Sequence, residues 1–165
     1  MDLLEILPKL KNSIDKGRYS SGSYGRYFRI GRFIGVKIID GYKKYPIKKD
    51  FMLSPRYKKT MVEARMLKEA SKRTGIVPKF HGVLLFEHKG SWHIGIVQEH
   101  ICGKSLAIHN NSRPIMERAT KALAAFKIRY KDYNPSNFIR QRSDGAIRVI
   151  DFTPSWVKMT QPGCY

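Results

Sequence analysis

The chain is predicted to be an α+β protein in two lobes joined near residues 99–104, and three observations carry that prediction. β-prone runs precede and follow a long helix-prone stretch, so strands and helices are grouped in the order strands, helix, strands, helix, hairpin. Turn signals at Gly31-Arg32, Lys89-Gly90 and Asp144-Gly145 fall between pairs of these runs, as hairpins require. The 165 residues are 42% hydrophobic and 12% aromatic. A single domain of that length buries roughly two thirds of its unfolded surface, and the composition excludes a disordered tail.

Residues 1–16 are predicted to form a short helix with Leu3, Leu4, Leu7 and Leu10 on one side, provided Pro8 falls in its first turn. The run SSGSYGRYFRI passes from glycine and serine into β-prone aromatics, and GVKII (35–39) reads as a buried strand. Thr60 to Thr74 is helix-prone, with Met66, Leu67 and Ala70 as its apolar side. Two strands, Phe80–Glu87 and Trp92–Glu99, follow, and then a polar, loop-like stretch over 102–113. Pro114–Ile128 is the next helix: Ile115, Ala119, Ala122, Leu123 and Phe126 recur at helical spacing, and Pro114 suits a first turn. The rest reads as loop (129–137), strand (138–140), strand (147–150) and an irregular tail. No internal repeat is seen.

Lys and Arg number 32 against 13 Asp and Glu, a formal charge of +19. Such a charge bears on partners rather than on fold, and favours nucleotide, nucleic acid, an anionic membrane or an acidic protein. Residues 41–79 hold twelve of the basic residues and three acids, +9 in 39 residues. Two cysteines, Cys102 and Cys164, cannot form a disulfide framework, so a reduced, cytoplasmic setting is expected. The start MDLLEILPKL lacks the basic residues and long apolar run of a signal peptide. No run approaches the ~20 apolar residues of a membrane span, so a soluble chain is expected.

Three constellations point to chemistry. Ser20, Gly22, Ser23 and Gly25 precede a lysine, Lys37, inside an apolar strand. Glycines let backbone N–H groups approach a phosphate, and a strand lysine can balance phosphate charge. The same glycines also suit an ordinary hairpin turn. A buried ammonium requires a partner, and Glu63 on the following helix is the candidate. Glu63 equally completes a capping box with Thr60. The third constellation is Asp132-x-x-x-x-Asn137 with Asp151 after the apolar pair Val149-Ile150. Asp132 would orient or deprotonate a hydroxyl, while Asn137 and Asp151 offer oxygen ligands for Mg²⁺. Asn134-Pro135-Ser136 also reads as a plain turn.

Taken in order, the stretches SSGSYG, GVKI, VEARMLKEA, IVQEHICGKSL, YKDYNPSN and IDFT resemble the motif set of the protein-kinase-like fold. The resemblance spans residues 20 to about 155. It implies an N-terminal lobe over 1–101 and a strongly truncated C-terminal lobe over 102–165. ATP and Mg²⁺ would bind between the lobes, with adenine held by backbone groups at Glu99 and Ile101. Lys37 would pair with Glu63 and grip phosphates, Asp132 would position the nucleophile, and Asn137 and Asp151 would hold metal. The expected activity is transfer of the ATP γ-phosphoryl to a hydroxyl, most simply a protein Ser/Thr.

The departures from the pattern are specific. Ser20 stands at the first loop glycine, Tyr130-Lys131 replace His-Arg, Asn134 follows Asp132 where Ser/Thr kinases carry Lys, and Thr153 replaces the Gly of D-F-G. The sequence ends fourteen residues after Asp151 and has no A-P-E motif. The D-x-N-x-x-N form and small size are similar to minimal bacterial effector kinases of the OspG and NleH type. That similarity implies delivery into a host cell and stimulation by ubiquitin-conjugating machinery. The surface of 41–79 is accordingly expected to dock an acidic protein. Two other classes are weighed: a kinase-shaped binding module without turnover, and a nucleic-acid binder in which Tyr42, Tyr45 and Tyr57 interleave with Lys43, Lys44 and Lys58.

Overall fold

The computed structural model describes residues 3–22, 25–39, 44–108, 111–153, 155 and 157–159. Among them are four α-helices and three antiparallel sheets, an α+β protein. The chain divides into two compact units, Met1–Ala64 with Phe80–His100, and Arg65–Lys79 with Ile101–Tyr165.

The first unit runs α1 (Leu3–Asp15), β1 (Ser20–Gly22), β2 (Gly25–Arg29), β3 (Ile34–Ile38), α2 (Lys48–Leu53), the opening turns of α3 (Pro55–Arg73), β4 (Phe80–His88) and β5 (Ser91–Glu99). Its sheet has the order β1-β2-β3-β5-β4, every neighbour antiparallel. Gly31, at φ +84°, turns the chain from β2 into β3, and the Ile30 N–H donates to the Ile34 carbonyl across that turn at 2.8 Å. Lys89 and Gly90, both at positive φ, make the two-residue turn between β4 and β5 that matches strand twist.

Helix α1 covers one face of this sheet. Ile6 and Leu10 are buried with Phe28, Ile30, Val36, Ile38, Phe86 and Val97, and Leu3, Leu7 and Ile14 pack beside them. Leu4, expected on that side, faces solvent. At 3.6 residues per turn the stripe is 3, 6, 7, 10 and 14, which leaves position 4 outside it. Pro8 sits in the second turn rather than the first, on the exposed side. The apolar stripe holds the helix together through it, because tertiary packing supplies most helical stability.

The second unit holds the later turns of α3, then β6 (Gly103–Ser105), α4 (Arg113–Ala125), β7 (Ile128–Tyr130), β8 (Phe138–Gln141), β9 (Ile147–Val149) and β10 (Val157–Met159). β6, β8 and β9 form one sheet, and β10 pairs with β7. Helix α4 packs on β7 and β9 through Met116, Ala119, Thr120 and Leu123. Residues 65–79 group with this unit, and the Val149 N–H donates to the Ile76 carbonyl at 2.9 Å.

Several element boundaries differ from expectation. Helix α3 begins at Pro55 instead of Thr60, since proline suits a first turn. Helix α4 ends at Ala125 instead of Ile128. Lys127 adopts φ +60°, which stops the helix, exposes Phe126 and sends Ile128 into β7 as a buried strand residue. β6 lies in the expected loop 102–113, β7 opens the expected loop 129–137, and β10 lies in the expected irregular tail. These three-residue strands exist by pairing with a neighbour, not by intrinsic propensity. No helix among the described residues is long and apolar enough to cross a membrane.

Gly25 has a packing role. A Cβ there would lie 2.3 Å from the Ile38 carbonyl oxygen, so β2 can start beside β3 only with glycine. Gly25→Ala should lower stability by about 1–3 kcal/mol through overpacking, read as a lower thermal midpoint with no nucleotide present. An unchanged midpoint would show that the strand end shifts freely.

Candidate functional site

In the first unit, β3 alternates its side chains. Val36 and Ile38 enter the core under α1, which leaves Lys37 on the opposite face of a central strand. Lys37 Nζ donates to Glu63 Oε1 at 2.6 Å, with side-chain exposures of 13% and 4%. Glu63 is not a cap. Thr60 sits inside α3, its Oγ1 donating to the Arg56 carbonyl at 2.9 Å, so the capping box is replaced by the ion pair.

The glycine-serine stretch forms the β1–β2 hairpin, with Ser20 opposite Tyr27 and Gly22 opposite Gly25. Ser23 lies outside the described residues. Glu99 ends β5 opposite Ile34, and the next residue donates its N–H to the Phe33 carbonyl at 2.7 Å. That residue, His100, stacks on Tyr27, whose hydroxyl lies 3.1 Å from Nδ1. Burial, and then the charge of Arg29, hold the imidazole below its ordinary pKa. Ile101 is buried in the second unit.

In the second unit, Asp132, Asn137 and Asp151 are joined through backbone and side chain. Asn137 Nδ2 donates to Asp132 Oδ2 at 2.8 Å, and the Asn134 N–H donates to Asp132 Oδ1 at 3.2 Å. The Asn137 carbonyl accepts the Ile150 N–H at 2.9 Å, which puts Asn137 across from the residue preceding Asp151. Asn134 is a turn residue, as the alternative reading had it: its Oδ1 accepts the Ser136 N–H at the start of the 3₁₀ turn Pro135–Asn137. Tyr130, at the His position of the kinase pattern, is a core residue, with its ring 5.8 Å from Phe138 and 6.0 Å from Phe152.

Two residues without an assigned role position this group. Thr153 donates to Asp151 Oδ1 from its backbone N–H at 3.1 Å and from Oγ1 at 2.8 Å, which fixes the carboxylate. Ser105 Oγ donates to the Pro135 carbonyl at 3.2 Å and anchors the turn. The spacing Asp-x-Thr signals the first contact; Ser105 has no local signal, because its partner is 30 residues away.

No three His, Cys, Asp or Glu side chains come together as a metal cluster among the described residues. In the basic stretch, Tyr45 and Tyr57 pack edge-on against Phe51, and Arg56 stacks on Tyr45. These half-buried rings pack around Phe51. Tyr42 and Lys43 lie outside the described residues. No family model matches the chain, and no curated protein matches its sequence.

Removing one partner of the pair leaves a buried charge, so Glu63→Ala should destabilise by about 3 kcal/mol. The double change Lys37→Met with Glu63→Leu should recover most of that loss, because apolar pairs of similar volume replace buried ion pairs well. Equal losses in both proteins, measured by urea denaturation, would exclude pairing as the cause.

The depressed His100 pKa means that the unfolded chain binds more protons than the folded one below the ordinary value of 6.5. The contribution of His100 is therefore complete above that pH and is lost as the pH falls through the lower folded value. His100→Gln should flatten this part of the stability profile between wild type and variant. Parallel profiles in acid would refute the assignment.

Proposed function

We propose that the chain is a minimal kinase-like phosphotransferase, moving the γ-phosphoryl group of ATP to a hydroxyl, with protein Ser/Thr as the acceptor class. The observation that carries this reading is the part-buried Lys37–Glu63 pair. A central strand gains nothing in packing from an ammonium, and a desolvated ion pair is poor evidence for a purely stabilising role. Held by Glu63, Lys37 has its rotamer fixed in advance, as a phosphate-gripping cation requires. In this reading Lys37 is the phosphate-side cation, Asp132 the acceptor-side acid, and Asn137 and Asp151 the two oxygen donors.

Asp132 is the proton acceptor in this scheme. The acceptor oxygen bonds to the γ-phosphorus as the bond to the β,γ-bridging oxygen breaks. ADP leaves, and the hydroxyl proton passes to the Asp132 carboxylate. Asn137 Nδ2 and the Asn134 N–H hold that carboxylate in place. Asn137 and Asp151 fit Mg²⁺ by donor chemistry: an amide and a carboxylate are both hard oxygen ligands, and Mg²⁺ typically takes one or two carboxylates and completes its shell with water and phosphate. When bound, the ion would neutralise phosphate charge. Because Nδ2 of Asn137 is committed to Asp132, its Oδ1 is the end suited to a cation. Thr153 would keep Asp151 oriented for the same task. A reduced intracellular setting, where ATP is abundant, is the compartment this chemistry needs.

The test is ADP release and acceptor labelling with Mg-ATP. Asp132→Ala should keep nucleotide affinity and lose transfer by about 10²–10⁴-fold, the usual worth of a positioned general base. Asp151→Ala should lose both Mg-dependent nucleotide affinity and transfer. If the wild-type chain binds ATP but labels no acceptor, and neither variant differs from it, the chain is a binding module instead.

A further inference from the structure

Half of the ten large apolar or aromatic side chains exposed among the described residues fall within residues 47–62: Ile47, Met52, Leu53, Met61 and Val62. Leu53 is 63% exposed and Ile47 58%. They lie on α2 and the first turns of α3, both in the first unit. Phe51 and Thr60 point into the core from the same elements. On α3, Lys58, Met61 and Val62 share one face by their spacing of three and four. The same stretch carries the exposed Lys44, Lys49 and Lys58, with Lys48 over the Trp92 ring at 5.1 Å, and Asp50 is the single exposed acid within 44–62. The basic stretch is thus not a plain solvated face. It carries exposed aliphatic side chains interspersed along the sequence with exposed ammonium groups.

We propose that this α2–α3 face is a docking surface for an anionic lipid bilayer. The composition favours lipid over protein. Protein interfaces are enriched in Tyr, Trp, Phe, Met and Arg and depleted in Lys, and their strongest anchors are Trp, Tyr and Arg, with Leu and Val under-represented. This face offers Ile, Met, Leu and Val with lysines and no exposed aromatic ring. Lysines attract an anionic headgroup layer while aliphatic side chains enter the acyl boundary beneath it, as in interfacial helices. The bond is peripheral and involves no spanning segment. It is independent of the phosphotransferase reading, since none of these residues belongs to that site.

The test is co-sedimentation of the full chain with vesicles of phosphatidylcholine alone or with roughly 30% phosphatidylserine. Binding is expected only to the anionic vesicles and should weaken as salt rises. Lys44→Ala, Lys49→Ala and Lys58→Ala together should weaken it about a hundredfold, near fivefold per lysine. Leu53→Ser with Val62→Ser should weaken it at least tenfold, while Leu4→Ser, at an exposed site on α1, should not. All the altered side chains are exposed, and unchanged thermal midpoints will confirm folded variants. No binding to anionic vesicles, equal binding to neutral ones, or full binding by the serine pair would each overturn the proposal. Binding to poly-glutamate without binding to vesicles would mark a protein-docking face and overturn it as well.

Discussion

A largely desolvated ammonium on β3, 13% exposed, constrains the first unit more than any other group. Desolvating Lys37 costs several kcal/mol, and only a well-placed carboxylate offsets it. The sheet order puts β3 at the centre, and strand alternation forces Lys37 away from the α1 core. Helix α3 must therefore turn Glu63 inward at 2.6 Å from Nζ. That choice fixes the rotation of the whole helix. With Glu63, Ala64, Leu67 and Ala70 buried, positions 58, 61 and 62 are left to solvent. One ion pair thus sets which side of α3 is buried and which side presents apolar and basic residues to solvent.

The second unit is organised by Asn137 in a comparable way. Its backbone carbonyl and side-chain amide act in different directions, one to the Ile150 N–H and one to Asp132. The residue is only 8% exposed, so both contacts are made away from water and each constrains the loop strongly. Asx-type contacts at Asp132, Asn134 and Asp151 complete the arrangement. Short polar side chains here replace regular secondary structure as the means of holding acidic groups in position.

Features with local physical causes were legible in the sequence. The turns at Gly31 and Gly90 and the strand around Lys37 follow from spacing and residue type. What was not legible depends on distant partners. β6 is a Gly-Lys-Ser segment that is a strand only because β8 lies beside it. The capping box at Thr60 was a sound local pattern, overridden because α3 starts five residues earlier and Lys37 needs a counter-charge. Leu4 was misplaced for a simpler reason: two apolar stripes on α1 overlap, and only packing on Phe28 and Val36 selects between them.

The net charge of +19 gains a second meaning from the exposed aliphatic face. A cluster of exposed Ile, Met, Leu and Val is ordinarily an aggregation hazard. Two copies meeting through such a face would bring their surrounding lysines together, and like charges at an apolar contact oppose association at close range. The charge therefore keeps the aliphatic side chains unoccupied while the chain is free in solution. It does the reverse at an anionic surface, where the same lysines are drawn in and the barrier becomes an attraction. Asp50 is the only exposed acid within 44–62, so little opposes that attraction. Arg56 and Lys48 are partly withdrawn from it, stacked on Tyr45 and on Trp92 at 5.2 and 5.1 Å. Charge that would otherwise be diffuse is thereby sorted: some cations pack against rings and stabilise the fold, and the remainder surround the aliphatic patch and determine what can approach it.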